Sequence, residues 1–490
     1  MPKKSWIHKI HLPAWVVGVL ALVFILRIPS FFEPYYYGDE MIYLTLGQGV
    51  GQGLTLYKDI HDNKPPLLYL MAAAAGNLFW FKVILTFWSL LTVTFFFKLA
   101  KLLFKSEKTV KVATIIFALL TTLPLLEGNT VNAELFMIGP SIIAFLLLLD
   151  EKLTSKKIFL AGFLFGIAAL FKTPALFDVP IIVFYWLVTE GLTNWKKVFK
   201  DTLLLLSGFI FPILLTFVWY FFRGALPEYV KAAFLQNVGY LSSFRPGDIQ
   251  KPFIIRNAPL FTRAFVVFIG SAILWFFRKK LSKNFVLFSL WTLFALFAVT
   301  LSERPYPHYL IQAAVPISFF MAMFFTEKSF EQALVVLPLA LVFFVPVYYK
   351  YYNYSSYAYY LRFINFATGK INKLTYFSSF ASTVNRNYEI ANFLVSSSFA
   401  SDRVFMWDTD SAAVYALSRR LPPIKYVVDY HINDFSGKSE VAKQIEANPP
   451  KFIILTTKYQ YLELNELIKE KYILIQQVED ADIYVKKTTT

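Results

Sequence analysis

The chain has 490 residues, 57% of them hydrophobic and only 16% charged, with a mean hydropathy of +0.51. An ordinary soluble protein is nearer half apolar and a quarter charged, so this balance makes lipid the expected solvent. The formal charge of +16 comes from lysines and arginines grouped between apolar runs, which reads as membrane loops and not as a nucleic-acid surface, and the lack of cysteine excludes disulfides, thiolate zinc sites and cysteine nucleophiles.

The first residues, MPKKSWIHKIHLPAWVVGVLALVFIL, combine a basic head with an apolar run and no small-residue cleavage site. They read as an uncleaved first span. Further apolar runs predict about eleven spans, at 12–31, 81–103, 110–127, 134–149, 158–172, 174–189, 201–222, 263–277, 284–301, 309–325 and 331–347. The stretch PPLLYLMAAAAGNLFW at 65–80 is apolar but short and opens on two prolines, so it is expected to lie half-buried without crossing. Charge tests that choice. If 65–80 does not cross, the inside segments hold 19 Lys and Arg, while the short outside segments hold 5 and the long loop 223–263 holds 6. Short loops govern orientation, so the N-terminus is expected inside a cytoplasmic membrane, with loops 31–80, 127–134, 223–262 and 302–309 all opening outside.

Residues 1–349 thus read as a transmembrane domain and the tyrosine-rich 350–384 as an interfacial linker. From 385 to 490, helix-like NRNYEIANFLVSSS and SAAVYALSRR alternate with RVFMW, KYVVDY and KFIILTT, the pattern of a small extracytoplasmic α/β domain. The predicted fold class is therefore a polytopic α-helical membrane protein with outer juxtamembrane helices and a C-terminal soluble α/β domain.

Polar clusters concentrate on the outer side. After the first span comes PYYYGDEMIY, in which Asp39 and Glu40 open a helix; an Asp here caps it, acids in the first turn suit the helix dipole, and Tyr43 falls on the same face as Asp39. The GQGVGQG at 47–53 is no phosphate loop, because Gln52 occupies the third-glycine position and no G-K-[ST] follows; it reads as a helix end and turn. In LYKDIHDNKPPLLYL, Lys64 stands where the chain re-enters lipid, suited to a lipid phosphate, and Asp39, His61 and Asp62 offer oxygen and nitrogen ligands for a divalent metal. EGNTVNAELFM places Asn132 and Glu134 at a span mouth, and SERPYPHYLIQ places Arg304 and His308 between prolines on the same side. Lys172, just before Pro174, is the charged residue that fits this grouping least.

GDEMIY after span one, the Asp-rich stretch ending in Lys-Pro-Pro, NAELF, and RPYPHYLIQ together resemble the polyprenyl-phosphate-sugar-dependent glycosyltransferases of the GT-C type, in particular the bacterial relatives of protein O-mannosyltransferases and of the lipid A aminoarabinose transferase. The resemblance implies catalysis by Asp39 with Glu40 beside it, lipid-phosphate contact by Lys64 near Asp62 and Tyr43, and substrate contacts from Glu134, Arg304 and His308. Lys82 departs from the arginine often found there. The implied partners are a polyprenyl-phosphate sugar and a protein, lipid or glycan acceptor, with no nucleic acid. A transporter or lipid-linked sugar flippase is the alternative, and it requires ionisable residues at mid-bilayer and paired broken helices.

Overall fold

The computed structural model describes residues 12–238 and 252–487. The basic residues Lys3, Lys4 and Lys9 and the loop cations Arg245 and Lys251 lie outside the described residues.

Every predicted span is a helix. In chain order the membrane part comprises α1 (Ala14–Arg27), α2 (Gly38–Gly51), α3 (Leu67–Ala75), α4 (Leu78–Leu103), α5 (Glu107–Leu120), α6 (Ala133–Leu148), α7 (Ser155–Phe171), α8 (Asp178–Glu190), α9 (Trp195–Phe222), α10 (Ala258–Phe277), α11 (Lys283–Thr300), α12 (Ala314–Thr326) and α13 (Val336–Tyr348). Among the described residues, eight helical stretches are long and apolar enough to cross a membrane. The helices α5, α6 and α7 are shorter, at 14, 16 and 17 residues. Where α5 was expected to run to 127 it stops at Leu120, because Thr121 turns its hydroxyl back onto Phe117 O and Pro124 opens a separate 3₁₀ turn.

Burial separates central from peripheral helices. In α11, thirteen of eighteen residues are buried, whereas α10 buries only Ser271 and Leu274 and leaves large apolar side chains such as Phe265, Phe268 and Phe276 exposed. Apolar side chains exposed to this extent need hydrocarbon around them, and so the chain is a multi-pass membrane protein. Aromatic contacts fill the centre: Phe96 stacks on Phe117 at 4.0 Å and on Phe319 at 4.9 Å, and Phe145 on Trp291 at 3.8 Å. Between α7 and α9 small residues allow backbone contact. A Cβ on Gly162 would overlap the Leu205 carbonyl oxygen, and one on Gly208 would overlap that of Phe159.

The prolines at 65–66 start α3, whose nine residues rise only about 14 Å, half a hydrocarbon core. Gly76 ends it in a left-handed conformation (φ 70°) and Asn77 caps α4 by accepting from Trp80 N–H. Both ends of α3 therefore stay on one face of the bundle. At the other glycine run, α2 ends at Gly51, and Gly47 is pressed against the α3 backbone at Ala72 and Ala73, so these glycines serve a helix contact and a turn.

The C-terminal part carries one four-stranded sheet in the order β1 (Val404–Trp407), β2 (Phe452–Thr456), β4 (Ala481–Lys486), β3 (Tyr472–Val478). β1 and β2 are parallel, joined through helices, while β4 pairs antiparallel with both β2 and β3. KYVVDY does not join the sheet; it is extended chain leading into a helix at Asp429–Phe435. The domain docks on the membrane part, where Thr45 and Gln48 of α2 donate to Ala412 O (3.1 Å) and Ala416 O (3.0 Å), and His61 N–H donates to Lys425 O (2.8 Å).

Because α7 and α9 meet backbone to backbone, Gly162→Val should force them apart and lower the unfolding temperature by several degrees in detergent, whereas Gly18→Val, on open surface, should leave it unchanged.

Candidate active site

The helix α2 opens with Tyr37 as the capping residue and no side-chain cap, so Asp39 is not the cap expected from sequence. Its carboxylate turns sideways and accepts the Tyr43 hydroxyl at 2.8 Å, one turn along. Asp39 and Glu40 diverge, as neighbours on a helix must. The Asp39 side chain is 30% exposed; Glu40 is fully buried.

Glu40 faces inward to Lys82, the residue noted as a departure. Lys82 Nζ lies 2.5 Å from Glu40 and 2.8 Å from Glu33, and donates to Asn129 O at 3.0 Å. Glu33 also accepts from Asn129 (2.8 Å) and Tyr359 (2.5 Å), and Glu40 accepts the Val131 N–H at 2.5 Å. Burial and the neighbouring Glu33 push the Glu40 carboxyl up to about 7 against the pull of Lys82.

The loop 54–64 brings the cation. Tyr57 adopts a left-handed backbone (φ 75°), a strained conformation costing about 1–3 kcal/mol, offset by burying its ring against Tyr220 and Tyr229. Its hydroxyl donates to Lys64 O at 2.8 Å. Lys64 Nζ then sits 3.8 Å from Asp39, 3.7 Å from Asp62 and 5.0 Å from the Tyr43 ring centroid. Asp62 is held by the Tyr69 hydroxyl (2.7 Å) and the Asn63 N–H (2.7 Å). Burial raises the Asp39 carboxyl, but Lys64, His308 and the Tyr43 hydroxyl outweigh it and hold its pKa below the usual value. For Asp62 burial is likewise outweighed, by Lys64, His431 and the Tyr69 hydroxyl.

Glu134, in the first turn of α6, is buried and ion-paired to Lys172, with His308 Nε2 at 3.9 Å. The other ring nitrogen of His308 meets Glu127, and the Tyr37 hydroxyl lies 3.5 Å from it. Asn132 donates to Thr130 at 2.5 Å and shapes the same turn. Lys172 also lies over the Tyr309 ring at 4.2 Å, which draws it into this cluster. Arg304 is exposed on the loop leading to Tyr306 and His308. Loops 31–66, 127–134 and 302–309 therefore meet in one place, and Asn237 joins the fourth loop to it by donating to Asn63 O at 2.9 Å.

The metal set read from sequence is not assembled. Among the described residues no group of three or more His, Asp or Glu side chains is placed to hold a metal ion. Lys64 stands between the two carboxylates, where the cation would bind, and His61 packs instead against Tyr426, His431 and Phe435. Burial first, then His431, pushes the His61 ring down to about 3. His431, which sequence reading missed, comes from the C-terminal domain and places Nε2 3.6 Å from Asp62. Nothing in its local sequence distinguishes it. The one available signal is that the chain has only five histidines, of which His61, His308 and His431 all gather here.

The spanning bundle, the short helices on one face and the small α/β domain together define a polytopic membrane protein with the GT-C fold. Its likeness to ArnT, the lipid A aminoarabinose transferase of Cupriavidus metallidurans, covers 96% of this chain and 97% of that one, with TM-score 0.57 and 12% identity, both for the structure bound to undecaprenyl phosphate and for the apo state. The apo oligosaccharyltransferase of Archaeoglobus fulgidus is similar at TM-score 0.47 and 12% identity, over 92% of this chain and 70% of that one. No protein-family model and no curated relative matches the sequence.

Lys82→Met should destabilise the protein by about 3–5 kcal/mol in equilibrium unfolding, because two buried carboxylates lose their cation. Lys197→Met, which breaks an exposed pair with Glu190, should cost under about 1 kcal/mol.

Proposed function

We propose that this chain is an integral-membrane glycosyltransferase that moves a sugar from a polyprenyl-phosphate donor to a hydroxyl acceptor on the outer face of the membrane, by a single displacement that inverts the anomeric centre. The observation that carries the reading is a partly exposed carboxylate, Asp39, with Lys64 Nζ 3.8 Å away, in a chain with the GT-C fold. The likeness to a transferase whose structure holds undecaprenyl phosphate supports the donor class.

The chemistry asks little more of the protein. As the acceptor oxygen bonds to the anomeric carbon, the bond from that carbon to the phosphate oxygen breaks and the phosphate leaves with the electron pair. A lipid phosphate is a good leaving group, so protonating it is unnecessary. The acceptor proton goes to Asp39. Lys64, already held near the reacting site, neutralises the charge developing on the phosphate, and Arg304 at the rim supplies a further cation. Glu134 and His308 line the same face as substrate contacts, with Tyr43 and Asp62 orienting Asp39 and Lys64. In this reading Glu40 positions α2 through Lys82 and does not touch substrate.

The transporter alternative needs ionisable groups at mid-bilayer. Lys172, the charged residue that fits the outer grouping least, ends α7 and pairs with Glu134 in the cluster with His308, which weighs against that alternative.

Asp39→Asn should lower transfer from a polyprenyl-phosphate sugar by at least about 100-fold while near-UV circular dichroism stays unchanged. Undiminished transfer would remove Asp39 as the base, and wild-type protein that shows no transfer but moves substrate across liposomes would establish the transporter. Mass spectrometry of glycolipids and glycoproteins, with the gene deleted and restored, identifies sugar and acceptor.

The pH profile supplies a separate check. The depressed Asp39 pKa keeps the base ionised until the pH falls below about 3.8, so the acid limb of kcat/KM should lie below that value. Lys64→Met removes the neighbouring cation and should shift the limb upward; a limb that does not move would mean that Lys64 leaves Asp39 unaffected.

A further inference from the structure

A second cavity shares the 54–64 loop with the site above but none of Asp39, Lys64 or Asp62. It is a partly open pocket, and Tyr57, His61, Glu228, Lys231, Gln236 and Lys425 are among its walls. These come from three separate stretches of chain: the strained loop, the short helical segment that follows α9, and the C-terminal domain. The His61 N–H bond to Lys425 O fastens the first to the third.

Two features of this cavity call for a ligand. His61 Nε2, Gln236 Oε1 and Glu228 Oε2 are buried there without a hydrogen-bond partner, although more than 90% of buried polar groups in folded proteins have one. His61 is itself only 3% exposed. The second feature is charge. Lys231 and Lys425 face the same space, and burial followed by repulsion from Lys231 lowers the Lys425 pKa, with Glu228 only partly opposing. Water alone would satisfy the orphaned atoms yet leave two ammonium groups against one carboxylate. A ligand that carries anionic oxygens together with a hydroxyl, such as a singly protonated phosphate, meets the charge and offers a donor to the orphaned acceptors.

We propose that this cavity binds a phosphate monoester-type anion, carried on a lipid headgroup or free, with Lys231, Lys425 and the His61 Nε2–H as donors. Gln236, with its amide turned so that the NH2 faces the cavity, donates to the anion, and Glu228 Oε2 accepts the hydroxyl hydrogen of the protonated phosphate. The ligand would bridge the C-terminal domain to the membrane part, so that the domain's docking depends on occupancy. This site goes beyond the transfer reaction, and its test is independent of activity.

The test uses the full chain and two probes. Unfolding temperature is measured in detergent with inorganic phosphate against chloride at matched ionic strength, and in nanodiscs of phosphatidylcholine with and without phosphatidic acid. The expected result is an upward shift with at least one probe. A shift with inorganic phosphate assigns a free ligand, and one confined to phosphatidic acid assigns a headgroup. Lys231→Gln and Lys425→Gln should each weaken binding at least tenfold, Lys231→Arg and Lys425→Arg should restore it, and Lys443→Gln, on an exposed helix face, should change nothing. The Arg variants also show that lost binding is not lost folding. No shift with either probe, or a shift that survives both glutamine substitutions, overturns the proposal.

Discussion

A single buried ammonium group, Lys82, sets the geometry on which the rest of the site depends. In the first turns of α4 it has no access to water, and a charge there persists only if it is paired and hydrogen-bonded. Its partners lie far apart in sequence: Glu33 after the first span, Glu40 in α2, and the carbonyl of Asn129 in the next turn. Through Glu33 the network also reaches Tyr359 in the helix that follows the last span. One cation thus holds two loops and three helices in register. Such a network adds little net stability compared with an apolar core, but it admits only one arrangement of the loops.

That arrangement gives the two adjacent acids different lives. With Glu40 anchored inward, Asp39 projects from the preceding position around the helix toward water, where Lys64 and Tyr43 favour its ionised form. Lys64 is shared between Asp39 and Asp62, so its head is held before any substrate arrives, and less ordering remains to be done on binding. The C-terminal domain closes the arrangement from above through His431 and the contacts of Thr45 and Gln48. It is a wall of the site as well as an appended unit.

The fold was legible to a large degree. Eleven apolar runs became eleven helices, and the proline-opened stretch at 65–80 carries the short helix Leu67–Ala75. The site was legible in its residue list but less so in its arrangement. Lys64, Glu134 and His308 stand out in the sequence by their positions beside spans; in the structure Glu134 lies 3.9 Å from His308, and Lys64 pairs with Asp39 and Asp62. The Asp39 cap and the Asp39–His61–Asp62 metal set did not form, because local spacing cannot show that Lys64 folds back between the carboxylates or that aromatic rings of the C-terminal domain draw His61 away.

Sequence by itself determined which stretches form apolar helices, because transfer of apolar side chains is a local property that adds along about 20 residues. It also grouped the loops that carry Asp39, Glu134 and His308, since cationic loops are expected to sort by side. Only the tertiary structure decided which of two neighbouring acids meets water, what Lys82 pairs with, and that a histidine some 370 positions away stands behind Asp62. Those are contacts between distant segments, and desolvation, which assigns each carboxylate its role, exists only once those segments have packed.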